Sequence, residues 1–478
     1  MNDKINLTVI GGGPGGYVAA FLAADLGMSE GSFGNVTLID LEKNPGGVCL
    51  YRGCIPSKAL LHVAKLIHEA EQAKNWGIEF GRPKIDIDKL RNFKNNVVNK
   101  LTGGLGQIAK QRKVNFIQGR ARFINSSTLK IETASGETIE HKFDKAIIAT
   151  GSVVATIPSL NIQSKRLLNS TSALDLPEIP KSLLVVGGGY IGLELGSVYQ
   201  ALGTQVSVVE MLPGLLPGAD RDLVNFLVKK VKENFAEVMT NSKVLEMKEV
   251  DNQIKVKIQD EKGNTVEKTY DYVLMSIGRK PETRGLGLEN TKVTTTDRGW
   301  IKVNKQMQTT DPNIYAIGDI AGEPMLAHKA FHEGRVAVEA IAGHKVAFEP
   351  MAIPAVVFTD PEIAWAGLTE EEAKKQGIKY EVAKFPWAAS GRAITLDRTD
   401  GVTKLIVDPD TQRLLGIGIC GPNAGELISE GVLAIEMGAN VTDLKLTIHP
   451  HPTLSETIMD AAEVFFGQSA HYYTKLRK

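Results

Sequence analysis

A strand, glycine turn and helix pattern occurs twice in this 478-residue chain, and it limits the fold more than any other feature. Mainly apolar runs at 7–10 and 183–186 lead into G-x-G-x-x-G turns, and a helix-forming segment follows each turn. Such glycines allow a tight turn and let a diphosphate approach the start of a helix. The sequence therefore predicts an α/β fold with two Rossmann-like dinucleotide-binding domains. The glycines are Gly11, Gly13 and Gly16 in the first copy and Gly187, Gly189 and Gly192 in the second.

Each copy also has an acidic residue at the end of its second strand. Asp40 follows the run 36–39, and Glu210 follows the run 206–209. A carboxylate at this place accepts hydrogen bonds from a ribose diol, and its charge repels a 2′-phosphate, so Glu210 favours NAD over NADP. Two sites in one chain have no use for the same redox carrier. We therefore expect one site to hold a bound flavin and the other a diffusible nicotinamide.

Two later segments extend the first site. Residues 146–151, which end in Thr150 and Gly151, have the pattern of a buried strand that runs into a turn. Residues 314–319 have the same pattern and end in Asp319. A carboxylate there is in position to bind ribityl hydroxyls, but such a residue is more often the N-cap of the following helix. Both interpretations of Asp319 stay open at this point.

Cys49 and Cys54 lie in a glycine-rich segment just before a predicted helix. If the segment turns helically, their Cα atoms fall within the roughly 4–7 Å that a disulfide requires. A helix start also stabilises a thiolate, which is the reactive form of cysteine. The pair suits a disulfide that opens and closes during turnover, and the alternative is a coincidental pair in a buried helix. The third cysteine, Cys420, lies in an apolar strand pattern and is predicted to be a core residue.

A candidate base lies near the C-terminus, in the segment 449–456. Two prolines flank His451 and stiffen its backbone. Glu456 follows five residues later, where it can hold the imidazole tautomer and raise its basicity. Dithiol oxidation needs such a base, although a capped helix with an ordinary surface histidine would have the same pattern. No metal site is predicted, because neither the cysteines nor the histidines have a matching set of ligands.

Composition and charge argue against several classes of protein. Lys+Arg and Asp+Glu both total 55, so the net charge gives no support for nucleic-acid or membrane-surface binding. No apolar stretch approaches the ~20 residues of a membrane span, and the run 5–10 is too short for a signal-peptide core. Three cysteines do not make a disulfide-stapled secreted domain. We therefore expect a cytoplasmic protein whose disulfide is catalytic.

These motifs, in this order, resemble the flavoprotein pyridine nucleotide-disulfide oxidoreductases and, within that family, the dihydrolipoyl dehydrogenases. The most specific matches are the segments 49–58, 325–329, 421–426 and 449–456. The resemblance implies a homodimer with one tightly bound FAD per subunit, and NAD as the second cofactor. It also implies oxidation of dihydrolipoamide carried on the lipoyl domains of 2-oxoacid dehydrogenase complexes or on the glycine cleavage H protein. A glutathione- or mercuric-reductase-like enzyme and a non-catalytic docking flavoprotein are the alternatives.

The same resemblance implies four domains. An FAD domain is expected at 1–150, an NAD domain at 151–279, a central domain completing the FAD site at 280–349, and an α+β dimerisation domain at 350–478.

The resemblance also implies roles for individual residues. Cys49 and Cys54 would form the redox-active disulfide, and His451 with Glu456 would supply the base from the partner subunit. Further cofactor residues would be Lys58, Ala121, Asp319 and Ala327 for FAD, and Glu194, Val244 and Gly278 for NAD.

The chain departs from the family pattern at several positions. Tyr51 and Arg52 stand where Asn-Val is common, which adds bulk and charge beside the disulfide. Asp40 stands where the family usually has glutamate, and Tyr190 stands where many relatives carry a small aliphatic residue. None of these differences removes a catalytic group.

Overall fold

The computed structural model describes residues 4–474, so the ends of the first and last predicted domains, 1–3 and 475–478, lie outside it. Its first part begins with a buried apolar strand, a glycine turn and a helix, as the first sequence repeat predicts. The elements of this part are β1 (Ile5–Ile10), α1 (Pro14–Ser29), β2 (Phe33–Asp40), α2 (Gly47–Arg52), α3 (Cys54–Gln72), α4 (Ile87–Gln111), β3 (Asn115–Asn125), β4 (Thr128–Thr133), β5 (Thr138–Lys142) and β6 (Lys145–Ile148).

The second part repeats this organisation around the second glycine turn. Its elements are β7 (Ser152–Val154), β8 (Leu167–Asn169), β9 (Ser182–Val186), α5 (Tyr190–Ala201), β10 (Gln205–Val209), α6 (Arg221–Asn234), β11 (Glu237–Met239), β12 (Lys243–Val250), β13 (Gln253–Gln259), β14 (Thr265–Tyr270), β15 (Tyr272–Met275) and β16 (Arg279–Pro281). A five-stranded parallel sheet has the order β11-β10-β9-β15-β8. The strands β12, β13 and β14 form a separate antiparallel sheet, and β16 pairs antiparallel with β7.

A late strand completes the first sheet. β17 (Ile314–Ala316) pairs parallel with β6, and the helix that follows, α7 (Ala327–Ile341), packs against α1. The first sheet then has the order β17-β6-β1-β2-β3-β4-β5. The segment predicted as a central domain thus contributes a strand and a helix to the first nucleotide-binding unit, while the exact domain boundaries stay predictions.

The C-terminal part is an antiparallel sheet covered by helices. Its elements are β18 (Ala355–Val357), β19 (Ile363–Gly367), α8 (Glu370–Gln376), β20 (Glu381–Pro386), α9 (Gly391–Thr395), β21 (Val402–Val407), β22 (Leu414–Cys420), α10 (Ala424–Glu436), α11 (Val441–Leu446) and α12 (Glu456–Phe466). The strand order is β18-β19-β22-β21-β20. Phe385, Trp387 and Phe465 lie in its core, and Cys420 is fully buried. The predicted fold class, two Rossmann-like domains followed by an α+β domain, is confirmed. Among residues 4–474, no helix is both long and apolar enough to cross a bilayer.

A buried lysine joins the C-terminal sheet to the second part. Lys404 of β21 has a side chain that is 0% exposed, and its Nζ lies 2.8 Å from Asp220, 3.1 Å from Asp222 and 2.5 Å from Glu370. Burial lowers the pKa of Lys404, but the three carboxylates outweigh it and raise the pKa above its ordinary value. The three carboxylates are close enough together to hold a metal ion, but the charged ammonium already lies among them.

Replacing this lysine is expected to destabilise the contact between the two parts. Lys404→Met removes the buried cation that the three carboxylates share and leaves only more exposed lysines beside them, such as Lys384 at 2.6 Å from Asp222. Breaking a buried ion pair costs about 3–5 kcal/mol. We expect a clear fall in the thermal unfolding temperature, measured by calorimetry. Lys374→Met is the control, because its 68% exposed side chain lies 3.9 Å from the same Glu370 and a surface pair contributes only about 0–1 kcal/mol. Equal effects of the two substitutions would contradict the assignment.

Candidate functional site

A cavity of about 370 Å³ lies where the first glycine turn faces the second nucleotide-binding unit. Its lining includes predicted site residues from the expected FAD, NAD and central domains. The predicted residues in its lining are Gly11, Gly13, Asp40, Cys49, Cys54, Lys58, Ala121, Thr150, Gly151, Glu194, Asp319 and Ala327. The predicted residues outside the lining are Gly16, Gly187, Gly189, Gly192, Glu210, Val244, Gly278, His451 and Glu456.

In the first glycine turn, Gly11 and Gly16 have no room for a side chain, whereas Gly13 does. Gly11 has φ +105°, and a Cβ there would lie 2.3 Å from the carbonyl oxygen of Ala149. A Cβ at Gly16 would lie 1.8 Å from the carbonyl oxygen of Gly11. Gly13 has an ordinary φ of −67°, and the nearest atom to an added Cβ is 4.0 Å away. Because neither backbone nor packing demands glycine at Gly13, its missing side chain leaves room for a ligand in the cavity.

In the second glycine turn, too, the outer two glycines have no room for a side chain and the middle one does. Gly187 has φ +104°, and a Cβ there would lie 2.6 Å from the carbonyl oxygen of Ser276. Gly189 has φ −76° and nothing within 4 Å of an added Cβ. Gly192 packs against Gly187, with 2.4 Å between the added Cβ and the carbonyl oxygen. The second turn is therefore also open to a ligand at its middle glycine.

The acidic residues at the two strand ends use their carboxylate oxygens in the same way. Asp40 Oδ2 accepts a hydrogen bond from Gly12 N at 2.5 Å, and Oδ1 accepts one from Glu42 N at 2.8 Å. Glu210 Oε2 accepts from Gly188 N at 2.6 Å, and Oε1 accepts from Leu212 N at 2.7 Å. Each carboxylate thereby ties its strand end to its glycine turn. A carboxylate has about four acceptor positions, so lone pairs remain for a ribose diol.

The other residues predicted for the nicotinamide side lie around Glu210 and the second turn. Val244 is in β12, and the start of that strand is linked to Glu210 through Ser242 N, which donates to the Glu210 carbonyl at 3.0 Å. Gly278 lies between β15 and β16 with φ +113°. Val244 therefore lies just beyond a strand start that is bonded to the end of β10, and Gly278 follows β15 at the same carboxyl edge of the parallel sheet. The sequence predicts the ribose of a nicotinamide dinucleotide at the end of β10.

Glu210 is expected to decide between the two nicotinamide dinucleotides. The double substitution Glu210→Ala and Met211→Arg removes the charge that repels a 2′-phosphate and adds a cation at a 69% exposed neighbour. A hydrogen bond to a charged group contributes about 1.5–3 kcal/mol, so we expect the kcat/KM ratio of NAD to NADP to fall more than tenfold. Steady-state kinetics with each dinucleotide measure this, and Glu249→Ala, at an exposed position of β12, is the control. A wild-type protein that already prefers NADP would contradict the prediction.

The two cysteines lie at the starts of neighbouring helices, and both are thiols in this structure. Cys49 is in α2 and Cys54 is the first residue of α3. A hydrogen bond from the Cys49 thiol lowers the pKa of Cys54, against the effect of burial, and the charge of Lys58 lowers it further. The same hydrogen bond, together with burial, raises the pKa of Cys49. Cys54 is therefore the more acidic thiol of the pair, and its place as the first residue of the long helix α3 also favours a thiolate there.

Lys58 connects the cysteines to the second nucleotide-binding unit. Its Nζ lies 2.8 Å from Glu194 Oε2 and 4.5 Å from the ring centroid of Phe358. Glu194 is 3% exposed, and its Oε1 accepts a hydrogen bond from Phe358 N at 3.0 Å. Lys58 was predicted for the flavin side and Glu194 for the nicotinamide side. Their direct contact joins α3 of the first nucleotide-binding unit to α5 of the second.

Sequence reasoning missed a chain of polar groups on another wall of the cavity. Ser152 Oγ donates to Asp319 Oδ2 at 2.5 Å and accepts from Arg279 Nε at 2.7 Å, and Arg279 Nη2 donates to the Ser152 carbonyl at 2.6 Å. Ser152 directly follows Gly151, and Arg279 directly follows Gly278. Both could have been proposed from the sequence because the preceding glycines were already predicted to be site residues. Only the pairing of β16 with β7 brings them together.

Asp319 itself is not a helix N-cap. It lies within a short 3-10 turn at Gly318–Ile320, and the N-cap of the following helix α7 is Leu326. The N-cap alternative for Asp319 is therefore wrong. Its carboxylate instead lines the cavity.

His451 and Glu456 lie in the C-terminal domain, outside the cavity lining. His451 Nδ1 lies 2.8 Å from Glu456 Oε1, and Glu456 Oε2 accepts a hydrogen bond from Thr453 N at 2.7 Å. Partial burial raises the pKa of Glu456, but the hydrogen bonds from Thr453 and His451 outweigh it, so the pKa is lowered overall. Because a carboxylate only accepts, Nδ1 carries the ring proton and Nε2 is the free base. The His451 side chain is 73% exposed and therefore accessible to a second chain.

Comparisons with known proteins agree with this geometry. The family model "Pyridine nucleotide-disulphide oxidoreductase" matches residues 5–334, and the model of that family's dimerisation domain matches residues 353–462. Over 464 residues, the chain is 48% identical to dihydrolipoyl dehydrogenase of Vibrio cholerae, covering 97% of this chain and 96% of the relative. It is 50% identical over 464 residues to dihydrolipoyl dehydrogenase of Haemophilus influenzae, covering 97% of this chain and 95% of the relative.

Solved structures show the same likeness. LpdA from Mycobacterium tuberculosis matches with a TM-score of 0.88 at 28% identity, covering 96% of this chain and 99% of that one. The HOCl-induced flavoprotein disulfide reductase RclA from Escherichia coli matches with a TM-score of 0.84 at 28% identity, with the same two coverages of 96% and 99%.

Proposed function

The chain belongs to the pyridine nucleotide-disulphide oxidoreductase family, and from this premise we propose that it oxidises protein-bound dihydrolipoamide to lipoamide with NAD⁺. It is an oxidoreductase whose cofactors are FAD and NAD, and its dimerisation domain supports a homodimer. The observation that carries the proposal is the pairing of Cys49 in α2 with Cys54 at the start of α3, both in the lining of the cavity beside the first glycine turn. The reductase-like and docking alternatives are not favoured.

The cavity fits FAD by the chemistry of its lining. The open position at Gly13 would admit the diphosphate, Asp40 would accept from the adenosine ribose, and Asp319 would accept from the ribityl chain. Lys58 would lie beside the flavin ring, next to Cys54. When bound, FAD takes an electron pair from the dithiol and delivers it as hydride to NAD⁺.

The cysteines carry out the sulfur chemistry. In the oxidised enzyme Cys49 and Cys54 form a disulfide. One thiolate of dihydrolipoamide attacks Cys49 Sγ, which forms a mixed disulfide and releases Cys54 as a thiolate. The second substrate sulfur then closes the lipoamide disulfide and releases Cys49, which takes up the proton that this second thiol loses. The enzyme is then reduced, with its two cysteines in the unbonded state described above and two more electrons than the disulfide form. Transfer of these electrons to NAD⁺ restores the disulfide.

The charge of Lys58 supports the thiolate formed at Cys54. In the reduced pair, the hydrogen bond from Cys49 and the charge of the Lys58 ammonium lower the pKa of Cys54, whereas the charge of Glu194 raises it. Glu194 holds the ammonium in place through the contact at 2.8 Å. This arrangement makes Cys54 the better leaving group when Cys49 is attacked, because a thiol of lower pKa leaves faster.

A base must remove a proton from the substrate dithiol. We assign this role to His451 of the partner subunit, whose Nε2 is the free acceptor when Glu456 holds Nδ1–H. Its support is the exposed position of the imidazole in the domain that matches the dimerisation model. A proton taken at Nε2 leaves an imidazolium that the Glu456 carboxylate stabilises.

The proposed partners are proteins that carry lipoate on a mobile domain. They are the lipoyl domains of 2-oxoacid dehydrogenase complexes and the H protein of the glycine cleavage system. The proposed compartment is the cytoplasm, because a disulfide that must reopen at every turnover works in a reducing environment.

A steady-state comparison tests the proposed function. The holoenzyme is assayed with dihydrolipoamide and NAD⁺, and in parallel with glutathione disulfide and NADPH. We expect rapid NADH formation in the first assay and only slow NADPH consumption in the second. The reverse preference would support a glutathione-reductase-like enzyme, and FAD binding without thiol-dependent NAD⁺ reduction would support a docking flavoprotein.

A further inference from the structure

Arg52 lies between the two redox cysteines, and the reaction described above does not use it. It is the last residue of α2, and its side chain lines the cavity. Its Nη2 forms an ion pair with Glu42 Oε1, and its guanidinium lies 5.9 Å from the ring centroid of Tyr51. The Tyr51 hydroxyl donates to the Asn44 carbonyl at 3.1 Å. These contacts hold the guanidinium at the end of the cavity where β2 finishes.

Two carboxylates line this end of the cavity beside Arg52. Asp40 and Glu42 both line it, two residues apart. Burial raises the pKa of Asp40, and hydrogen bonding from Gly12 and the charge of Arg52 both oppose that effect. A dinucleotide brings a diphosphate with two negative charges to the glycine turn that Asp40 is bonded to. Without a cation, two carboxylates and the diphosphate would repel one another.

The other cations in the lining are associated with different acceptors. Lys58 pairs with Glu194, Arg284 pairs with Glu282 at 2.9 Å, and Arg279 donates to Ser152. The charge of Arg120 acts on Glu282. Among the lining residues in the described part of the chain, Arg52 is therefore the cation that pairs with Glu42 and whose charge acts on Asp40.

We propose that Arg52 is part of the FAD site, where its guanidinium offsets Asp40 and Glu42 and donates to the flavin diphosphate. A guanidinium has five N–H donors in a planar fork, and the contact with Glu42 is made by Nη2. Donors therefore remain for a phosphate, an anion that guanidinium frequently binds with two parallel hydrogen bonds. Because Arg52 lies between Cys49 and Cys54, bound FAD is joined directly to the segment that carries the disulfide. This inference concerns flavin affinity and does not depend on which dithiol is the substrate.

Titration of the apoprotein with FAD tests the proposal through quenching of flavin fluorescence. Arg52→Ala is expected to raise the Kd for FAD at least about tenfold, because a charge-assisted phosphate contact is lost, and the difference should shrink at high salt. Arg52→Lys is expected to give a smaller increase, since an ammonium keeps the charge but not the planar fork. Glu42→Gln is expected to lower the Kd, since it removes a negative charge beside the diphosphate.

The opposite signs of these effects distinguish flavin binding from a local structural role. If Arg52 served only to hold Glu42, Arg52→Ala and Glu42→Gln would raise the Kd for FAD equally, and the proposal would be wrong. An unchanged Kd in Arg52→Ala would overturn it as well. Arg122→Ala is the matched control, because Arg122 forms an ion pair with Glu289 at 3.0 Å outside the cavity, and it should leave the Kd unchanged. If Arg52→Ala does not fold, a raised Kd in Arg52→Lys with a lowered Kd in Glu42→Gln still decides the question.

Discussion

Replacing Cys54 with serine is expected to abolish dihydrolipoamide oxidation while FAD stays bound. Serine forms no disulfide and gives no thiolate at neutral pH, so neither the mixed disulfide nor the electron pair on Cys54 can arise. We expect kcat to fall by at least about a thousandfold, since loss of a covalent catalytic group costs this much or more in well-studied enzymes. Steady-state kinetics measure the loss of dihydrolipoamide oxidation, and the absorbance of the bound flavin shows whether FAD is retained.

Two controls make the Cys54 result specific. Cys420→Ala removes the buried third cysteine, which has no part in the proposed chemistry, and should keep near-normal turnover. NADH oxidation by artificial acceptors should survive in Cys54→Ser, because hydride transfer between NADH and flavin does not require the cysteines. Near-normal lipoamide turnover in Cys54→Ser would rule out the disulfide mechanism.

His451→Gln is expected to cause the second large loss of lipoamide turnover. Glutamine keeps a polar group of similar size but cannot take a proton, and a positioned general base contributes about 10²–10⁴-fold. The loss should appear in kcat with dihydrolipoamide and should be much smaller for NADH oxidation by artificial acceptors. Equal losses in both assays would point to a structural role for His451.

A mixed dimer tests whether His451 acts across the subunit interface. A purified heterodimer of one Cys54→Ser and one His451→Gln subunit contains one complete site of two, formed by intact cysteines of one chain and intact His451 of the other. It should regain about half of wild-type activity, because only that site has both the disulfide and an oriented base. The two mutant homodimers are the controls. If mass spectrometry confirms the heterodimer and it is inactive, His451 acts within its own chain or is not the base.

The sequence alone was sufficient for the architecture of the two nucleotide-binding units. The turns at Gly11 and Gly187 need positive φ, and their glycines face carbonyl oxygens too closely for a side chain. These are local requirements, so they appear in the sequence as a spacing between an apolar strand and a helix. The same holds for Asp40 and Glu210, which bond to backbone amides of their own βαβ units. The buried position of Cys420 followed from a strand pattern in the same way.

Only the tertiary structure decided which distant side chains meet in the site. Lys58 and Glu194 are in contact although 136 residues separate them, and Ser152 bonds to Asp319 across 167 residues. The ion pair of Arg52 with Glu42 could not be predicted either, because it depends on where the end of α2 lies relative to the residues that follow β2. Sequence patterns record local backbone preferences and the direction in which a residue faces. Contacts between remote segments depend on strand order and on the paths of the crossover connections, which no local pattern encodes.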